Sequence, residues 1–333
     1  MVVGGGTMGA LHLRALLARE DVPSVALVEP DPDRGAGLVR QYGLVRNYAR
    51  LDEALEREAI DLAIVAVPLG AAVEVVTALL ERGVPVLAEK PLATRAADAQ
   101  ELADVAARSG ALLSVGYIER FNPAVQALKH ELEKGDAGPV YHVHARRLSA
   151  FPYRAGMAGV TIDVATHDLD VLGFVTGSSP IRVYAETAVR QGGEGEDLLC
   201  ASLRFENGVT GLVESNWLTP MKVRRLTVTA EGGMYVVDYV TQDLWLHEHP
   251  RGEAEWDALG VVRGANEGRT IRFGLDRREP LVIEHERFID AVATNGPAPV
   301  TPEEAVGVLR AAEAIVESGR TNQPVTPVRP IAT

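Results

Sequence analysis

The stretch Gly4-Gly5-Gly6-Thr7-Met8-Gly9 decides the reading of this chain. It holds a G-x-G-x-x-G pattern as Gly4, Gly6 and Gly9, and each glycine has its own physical task. The first makes a tight turn after a strand. The second lets backbone approach a pyrophosphate, and the third lets the next helix pack on that strand. A helix beginning here presents unpaired N–H groups, which attract phosphate. Glycine clusters are common in loops, so the weight comes from context. A helical stretch follows at residues 8–18, then an apolar run at 24–28. Glu29 ends that run about twenty residues past Gly9, where the pattern wants an acid for the adenosine ribose hydroxyls. Thr7 and Met8, at the helix start, join the three glycines and Glu29 as expected dinucleotide contacts. Glu29 favours NAD, because its carboxylate repels a 2′-phosphate; Arg34, close behind, keeps NADP open. Only Met1-Val2-Val3 precedes the glycines, whereas a strand usually has about five or six residues. Either the first strand is unusually short or the sequence starts inside it.

Working outward, largely apolar runs at 24–28, 62–67 and 84–88 read as strands buried on both faces of a parallel sheet. Helical stretches lie at 8–18, 51–57, 71–82 and 96–109. Val73, Val76, Leu79 and Leu80 show the three-and-four spacing, and Gly83 and Gly110 sit where helix C-caps belong. Residues 112–116 supply a further strand. This is the βαβ rhythm of a doubly wound sheet.

The rhythm changes after Pro123. Asn122-Pro123 reads as an N-cap and first-turn proline of a helix reaching about Glu133. A strand at 140–149 and a helical segment at 161–175 come next. From 181 to about 247 the pattern is all strand, with Asn207-Gly208 as a hairpin signal and Gly232-Gly233 as another turn. Residues 249–269 read as a loop, and two helices close the chain at 281–294 and 302–317. The expected fold class is α/β: an N-terminal Rossmann doubly wound parallel sheet over 1–120, plus a C-terminal α+β domain over 121–333. The second domain would carry an open, mostly antiparallel sheet and serve substrate binding and oligomerisation, and its closing helices could pack back on the first.

At 333 residues the chain is long for one core and comfortable for two. A formal charge of −13 argues against a nucleic-acid partner and against an anionic membrane surface. The single cysteine, Cys200, excludes an intramolecular disulfide and a thiolate metal cluster, and it reads as a small strand residue. No apolar run has the length of a membrane span, and no basic-then-apolar leader opens the sequence. A cytoplasmic setting is expected. His142 and His144 share a strand face, as do His247 and His249, but neither pair has a third ligand of suitable spacing, so no metal site is expected.

Four signals align with Ala88-Glu89-Lys90-Pro91-Leu92. They are the N-terminal glycines, Val67-Pro68 after a strand, Gly116-Tyr117-Ile118-Glu119-Arg120-Phe121-Asn122-Pro123, and Asp163-Val164-Ala165-Thr166-His167-Asp168. With them the whole chain resembles the glucose-fructose oxidoreductase/inositol dehydrogenase/rhizopine catabolism (Gfo/Idh/MocA) family. The resemblance implies cofactor contacts at Pro68, Glu89 and Lys90, with Glu89 beside the nicotinamide ribose. The polar residues usual after Val67-Pro68 are here Leu69, Gly70 and Ala72, so no side-chain contact carries over there.

Oxidising a secondary alcohol removes the hydroxyl proton while hydride leaves for nicotinamide. His167 is the best base candidate, because imidazole titrates near neutrality. Asp163, four residues earlier, would share its helix face and either orient the imidazole or bind a neighbouring hydroxyl. Lys90 would hydrogen-bond the reacting oxygen; in some relatives a lysine is itself thought to act in proton transfer. Arg147 and Tyr153 could line the substrate pocket. Arg120 could serve an anionic substrate group or pair with a helix carboxylate.

The motif strings are most similar to members described as UDP-N-acetylglucosamine 3-dehydrogenases, which implies oxidation of a sugar C3 hydroxyl. The alternatives are an inositol or free-sugar dehydrogenase, and a non-catalytic relative that senses the dinucleotide. A small-molecule substrate and a homodimer or homotetramer are expected.

Overall fold

The computed structural model describes residues 1–43, 46–152, 158–192, 195–249 and 268–327. Contacts divide the chain into two units. One is Met1–Phe121 with Glu279–Glu313, and the other is Asn122–Arg278 with Ala314–Thr333.

The first unit is built on a six-stranded parallel sheet. Its strands are β1 (Val2–Val3), β2 (Leu27–Val28), β3 (Asn47–Tyr48), β4 (Ala63–Val65), β5 (Val86–Glu89) and β6 (Leu113–Gly116). They lie in the order β3-β2-β1-β4-β5-β6. That order reverses direction between β1 and β4, and ligands of open α/β sheets bind outside the strand carboxyl ends at such a point. The strands are shorter than the apolar runs that announce them, because regular pairing stops where the chain bends into its loops. Val2, Leu27, Ile64 and Leu87 pack with Leu13 and Leu16 of helix α1 (Thr7–Leu17) and with Phe288 of the closing helix Pro280–Thr294.

Helices α2 (Pro32–Tyr42), α3 (Leu51–Arg57), α4 (Leu69–Leu80) and α5 (Ala96–Ser109) connect the strands. The sequence reading assigned no element to α2, whose buried face amounts to Gly35 and Leu38. Its ends hold it instead. The Asp31 side chain accepts from Asp33 and Arg34 N–H, Pro32 fills the first turn, and Gly43 closes in the left-handed region.

The second unit opens on α6 (Pro123–Lys134), whose Asn122 N-cap accepts from Ala124 N–H. Its sheet has eight strands: β7 (Val140–Leu148), β8 (Pro180–Ala188), β9 (Leu198–Phe205), β10 (Thr210–Asn216), β11 (Val223–Ala230), β12 (Gly233–Asp238), β13 (Asp243–Glu248) and β14 (Thr270–Arg272). The order is β14-β13-β12-β11-β7-β10-β9-β8; only β7 and β10 are parallel neighbours. This is the open, mostly antiparallel sheet that the alternating pattern called for. Asn207-Gly208 turns β9 into β10, with the Asn207 side chain accepting from Val209 N–H. In β9, Leu199, Ala201, Leu203 and Phe205 point inward while Cys200, Ser202 and Arg204 face out. Helices α6 and α7 (Thr166–Thr176) cover the inward face. Most of the expected loop at 249–269 lies outside the described residues. Among the described residues no helix is long and apolar enough to cross a membrane.

Candidate active site

The glycine turn leaves β1 and enters α1. Gly4 has φ +99°, and a Cβ there would lie 2.3 Å from the Ala66 carbonyl oxygen. A Cβ on Gly9 would lie 1.9 Å from the Gly4 carbonyl oxygen, so turn and helix can meet only without side chains. Gly6 is different. A Cβ there would meet no protein atom within 4 Å. Gly6 is the N-cap of α1, and no side chain caps that helix. An open cradle at an uncapped helix N-terminus fits a dinucleotide pyrophosphate, whose oxygens take up the unpaired N–H groups. Thr7 and Met8 begin the helix at this cradle, and Pro68 caps α4 after β4.

Glu29 follows β2 and is buried. Its Oε2 accepts from Gly5 N–H at 2.7 Å, and its Oε1 accepts from Asp31 N–H at 2.9 Å and from Arg34 Nη1 at 3.2 Å. The acid therefore also ties the glycine turn to the end of β2. Arg34 is exposed and engaged with Glu29 and Asp31.

Glu89 and Lys90 stand at the carboxyl end of β5, and the Lys90–Pro91 bond is cis. Glu89 Oε2 accepts from Lys90 N–H at 3.1 Å. Glu89 Oε1 lies 2.9 Å from Nε2 of His12, whose Nδ1 lies 2.8 Å from Nε2 of His285. Both imidazoles are buried. The sequence reading missed this pair. A histidine on the buried face of α1, beside Leu13 and Leu16, was the available signal; its partner is far away in sequence. Arg120, also buried, donates to Glu304 Oε1 at 2.8 Å. Of the two roles open to it, the pair with a helix carboxylate is formed.

In the second unit Asp163 lies in a wide π turn, Thr161–Ala165, that runs into α7. His167 is the second residue of α7, and both side chains are half-buried. Regular α spacing would put the two on one face, and the wide turn replaces that spacing between them. Such turns occur frequently at functional sites. Next to His167, Asp168 is buried and receives Nε of Arg147 on both oxygens, at 3.0 and 2.9 Å. The Arg147 guanidinium stacks over the Tyr239 ring at 5.2 Å and is only 5% exposed. Its charge is answered inside the fold. Arg147 thus supports the His167 helix through Asp168. Tyr153 lies outside the described residues. His142 and His144 face outward on β7 with their pKa values lowered by burial. Among the described residues no group of three or more His, Cys, Asp or Glu could hold a metal ion.

A parallel sheet in this order, a turn closed to side chains at Gly4 and Gly9 and an acid at the end of β2 define a dinucleotide-binding Rossmann unit. Residues 1–117 match the family model described as "Oxidoreductase family, NAD-binding Rossmann fold", and residues 125–236 match that of the GFO/IDH/MocA C-terminal domain. The chain belongs to the Gfo/Idh/MocA oxidoreductase family. It is 27% identical to the rhizopine catabolism protein MocA of Rhizobium meliloti, covering 95% of this chain and 93% of that protein. It is 26% identical to the UDP-N-acetylglucosamine 3-dehydrogenase of Acidithiobacillus ferrooxidans, over 89% of each. Among solved structures, levoglucosan dehydrogenase in complex with NADH and levoglucosan superposes with a TM-score of 0.85 at 21% identity, over 98% of each chain. That likeness carries the fold.

Proposed function

We propose that this enzyme oxidises a secondary hydroxyl of a sugar or sugar nucleotide to a ketone, with C3 of UDP-N-acetylglucosamine as the first candidate. The observation that carries this reading is Lys90, half-buried at the carboxyl end of β5 on the ligand side of a sheet whose glycine cradle fits NAD. Bound nicotinamide supplies the hydride acceptor. His167 takes the hydroxyl proton as the carbon gives up hydride, so the alcohol loses one proton and one hydride to become a carbonyl. Lys90 donates a hydrogen bond to the reacting oxygen and stabilises its developing negative charge. Asp163 orients the imidazole or holds a neighbouring hydroxyl, and Glu89 faces the nicotinamide ribose.

Mass spectrometry of UDP-N-acetylglucosamine incubated with enzyme and NAD should find a product lighter by two hydrogens. An unchanged sugar nucleotide beside an oxidised inositol would select the free-polyol reading. A relative named scyllo-inositol 2-dehydrogenase, from Bacillus subtilis and 24% identical, favours that second reading.

Glu29→Ala should weaken NADH binding roughly 10- to 150-fold, since hydrogen bonds to a charged group contribute about 1.5–3 kcal/mol. The variant also loses the Gly5 anchor, so Glu29→Gln is the companion that keeps an acceptor oxygen. Unchanged affinity of both in a fluorescence titration would remove Glu29 from the ribose site.

We further propose a homodimer or homotetramer joined through the outward face of the second sheet, in a cytoplasmic setting. Tyr184, Ser202, Leu212 and His144 form one row across β8, β9, β10 and β7, and Leu212 is 40% exposed. Exposed apolar side chains on a sheet face, here Tyr184 and Leu212, are commonly buried between copies. Trp217 takes no part in this face; it is buried against Phe151 within the unit. Sedimentation should find an oligomer at micromolar concentration, and a monomer alone would contradict the assignment.

A further inference from the structure

We infer that His12 and His285 form a one-directional hydrogen-bond chain that fixes the Glu89 carboxylate, which makes His285 a positioning residue for the cofactor site. The inference rests on the reading of Glu89 as facing the nicotinamide ribose. Three elements of the first unit contribute one group each: His12 from α1, Glu89 from β5 and His285 from α8 (Pro280–Thr294). The ring centroids are 5.1 Å apart and the planes 20° apart, so with their facing nitrogens at 2.8 Å the rings meet edge to edge, nearly coplanar.

The direction of the chain follows from the donor inventory. An ionised carboxylate only accepts, so His12 Nε2 carries the proton that points at Glu89 Oε1, 2.9 Å away. A neutral His12 then offers a bare Nδ1, and His285 must present Nε2–H to it across 2.8 Å. That assignment leaves His285 Nδ1 as a bare nitrogen. This atom is buried without a hydrogen-bond partner, a state that an acceptor tolerates better than an N–H donor. The opposite arrangement, with His12 as imidazolium, would bury an unanswered N–H at His285 Nδ1. Burial, first among the causes, pushes the His285 pKa down to about 3, in keeping with a neutral terminal ring.

The consequence lies at the other end of the chain. With Oε1 held by His12 and Oε2 accepting from Lys90 N–H at 3.1 Å, the carboxylate has one orientation. The backbone that launches Lys90 is fixed with it. The Glu89 side chain is 15% exposed, so the carboxylate is anchored from the protein side and keeps an open edge.

Long-range 1H–15N spectra of the wild-type protein labelled at histidine test the chain without any substrate. Two rings should each carry a single proton, on Nε2. An imidazolium at His12, or a proton on His12 Nδ1, overturns the inference. Binding tests the consequence. His285→Leu removes the donor to His12 and should weaken NADH binding about 3- to 10-fold, the worth of one hydrogen bond. His285→Gln keeps an N–H donor and should restore most of it. Equal losses in both variants would mean packing alone, and no loss in His285→Leu would mean no positioning; either result overturns the proposal. Glu89→Ala separates the two readings. If it leaves NADH affinity unchanged, Glu89 does not face the cofactor and the positioning role falls with it, whatever the spectra show.

Discussion

His167→Ala should lower kcat by about 10²–10⁴-fold, the usual worth of general-base catalysis, while NADH affinity stays at the wild-type value. The two effects separate because the glycine turn, Glu29 and Glu89 all belong to the first unit, whereas His167 belongs to the second. Removing a group that acts only in the transition state lowers kcat and kcat/KM together and leaves KM nearly unchanged. Lys90→Ala should lose turnover comparably and also raise KM, because its ammonium meets the reacting oxygen in ground and transition states alike. Wild-type turnover should decline toward acid pH, since a base must be unprotonated to accept the hydroxyl proton. Steady-state rates on the true substrate, beside an NADH titration, check all of this. A near-normal kcat in His167→Ala would move the proton-transfer role to Lys90.

Asp168→Ala should destabilise the second unit by about 3–5 kcal/mol. Asp168 is buried and takes the Arg147 guanidinium on both oxygens, and Arg147 is itself buried against Tyr239. Deleting the carboxylate leaves a cation inside the unit with its principal counter-charge gone, and the desolvation cost it then carries is uncompensated. Replacing both partners by apolar residues of similar volume, as in Arg147→Met with Asp168→Leu, should cost far less. Urea unfolding followed by circular dichroism gives the midpoints. A shift equivalent to less than about 1 kcal/mol for Asp168→Ala would show that the pair is not held dry.

The parallel sheet and the glycine turn were legible because apolar runs and glycine spacing are local signals, whereas the strand order is set by tertiary pairing. Gly4 and Gly9 mark places where a side chain would collide with backbone, Gly6 marks the open cradle between them, and the apolar runs around 24–28, 62–67 and 84–88 each led to a strand. Helices α3 and α5 end where their periodicity ends, Gly110 capping the second. Helix α2 escaped because its apolar stripe is slight and caps hold it. The Asp163–His167 spacing was legible but not the π turn within it, since a widened turn leaves the sequence periodicity almost unaltered. The partners of the buried charges were not legible at all. His12 and His285 are 273 residues apart, and Arg120 and Glu304 are 184 apart; tertiary packing alone pairs them. Arg147 looked available for substrate because its counter-ion lies on a different element, in α7.

In the proposed reaction this fold passes hydride from a sugar hydroxyl to nicotinamide. Its most direct test is absorbance in the reduced-nicotinamide band when the wild-type protein and NAD are mixed with UDP-N-acetylglucosamine, other UDP-sugars and cyclic polyols. NADH should form with at least one of these, and in His167→Ala about 10²-fold or more slowly. Tight NAD binding with no reduction by any of them would contradict it, and would mark the protein as a dinucleotide sensor.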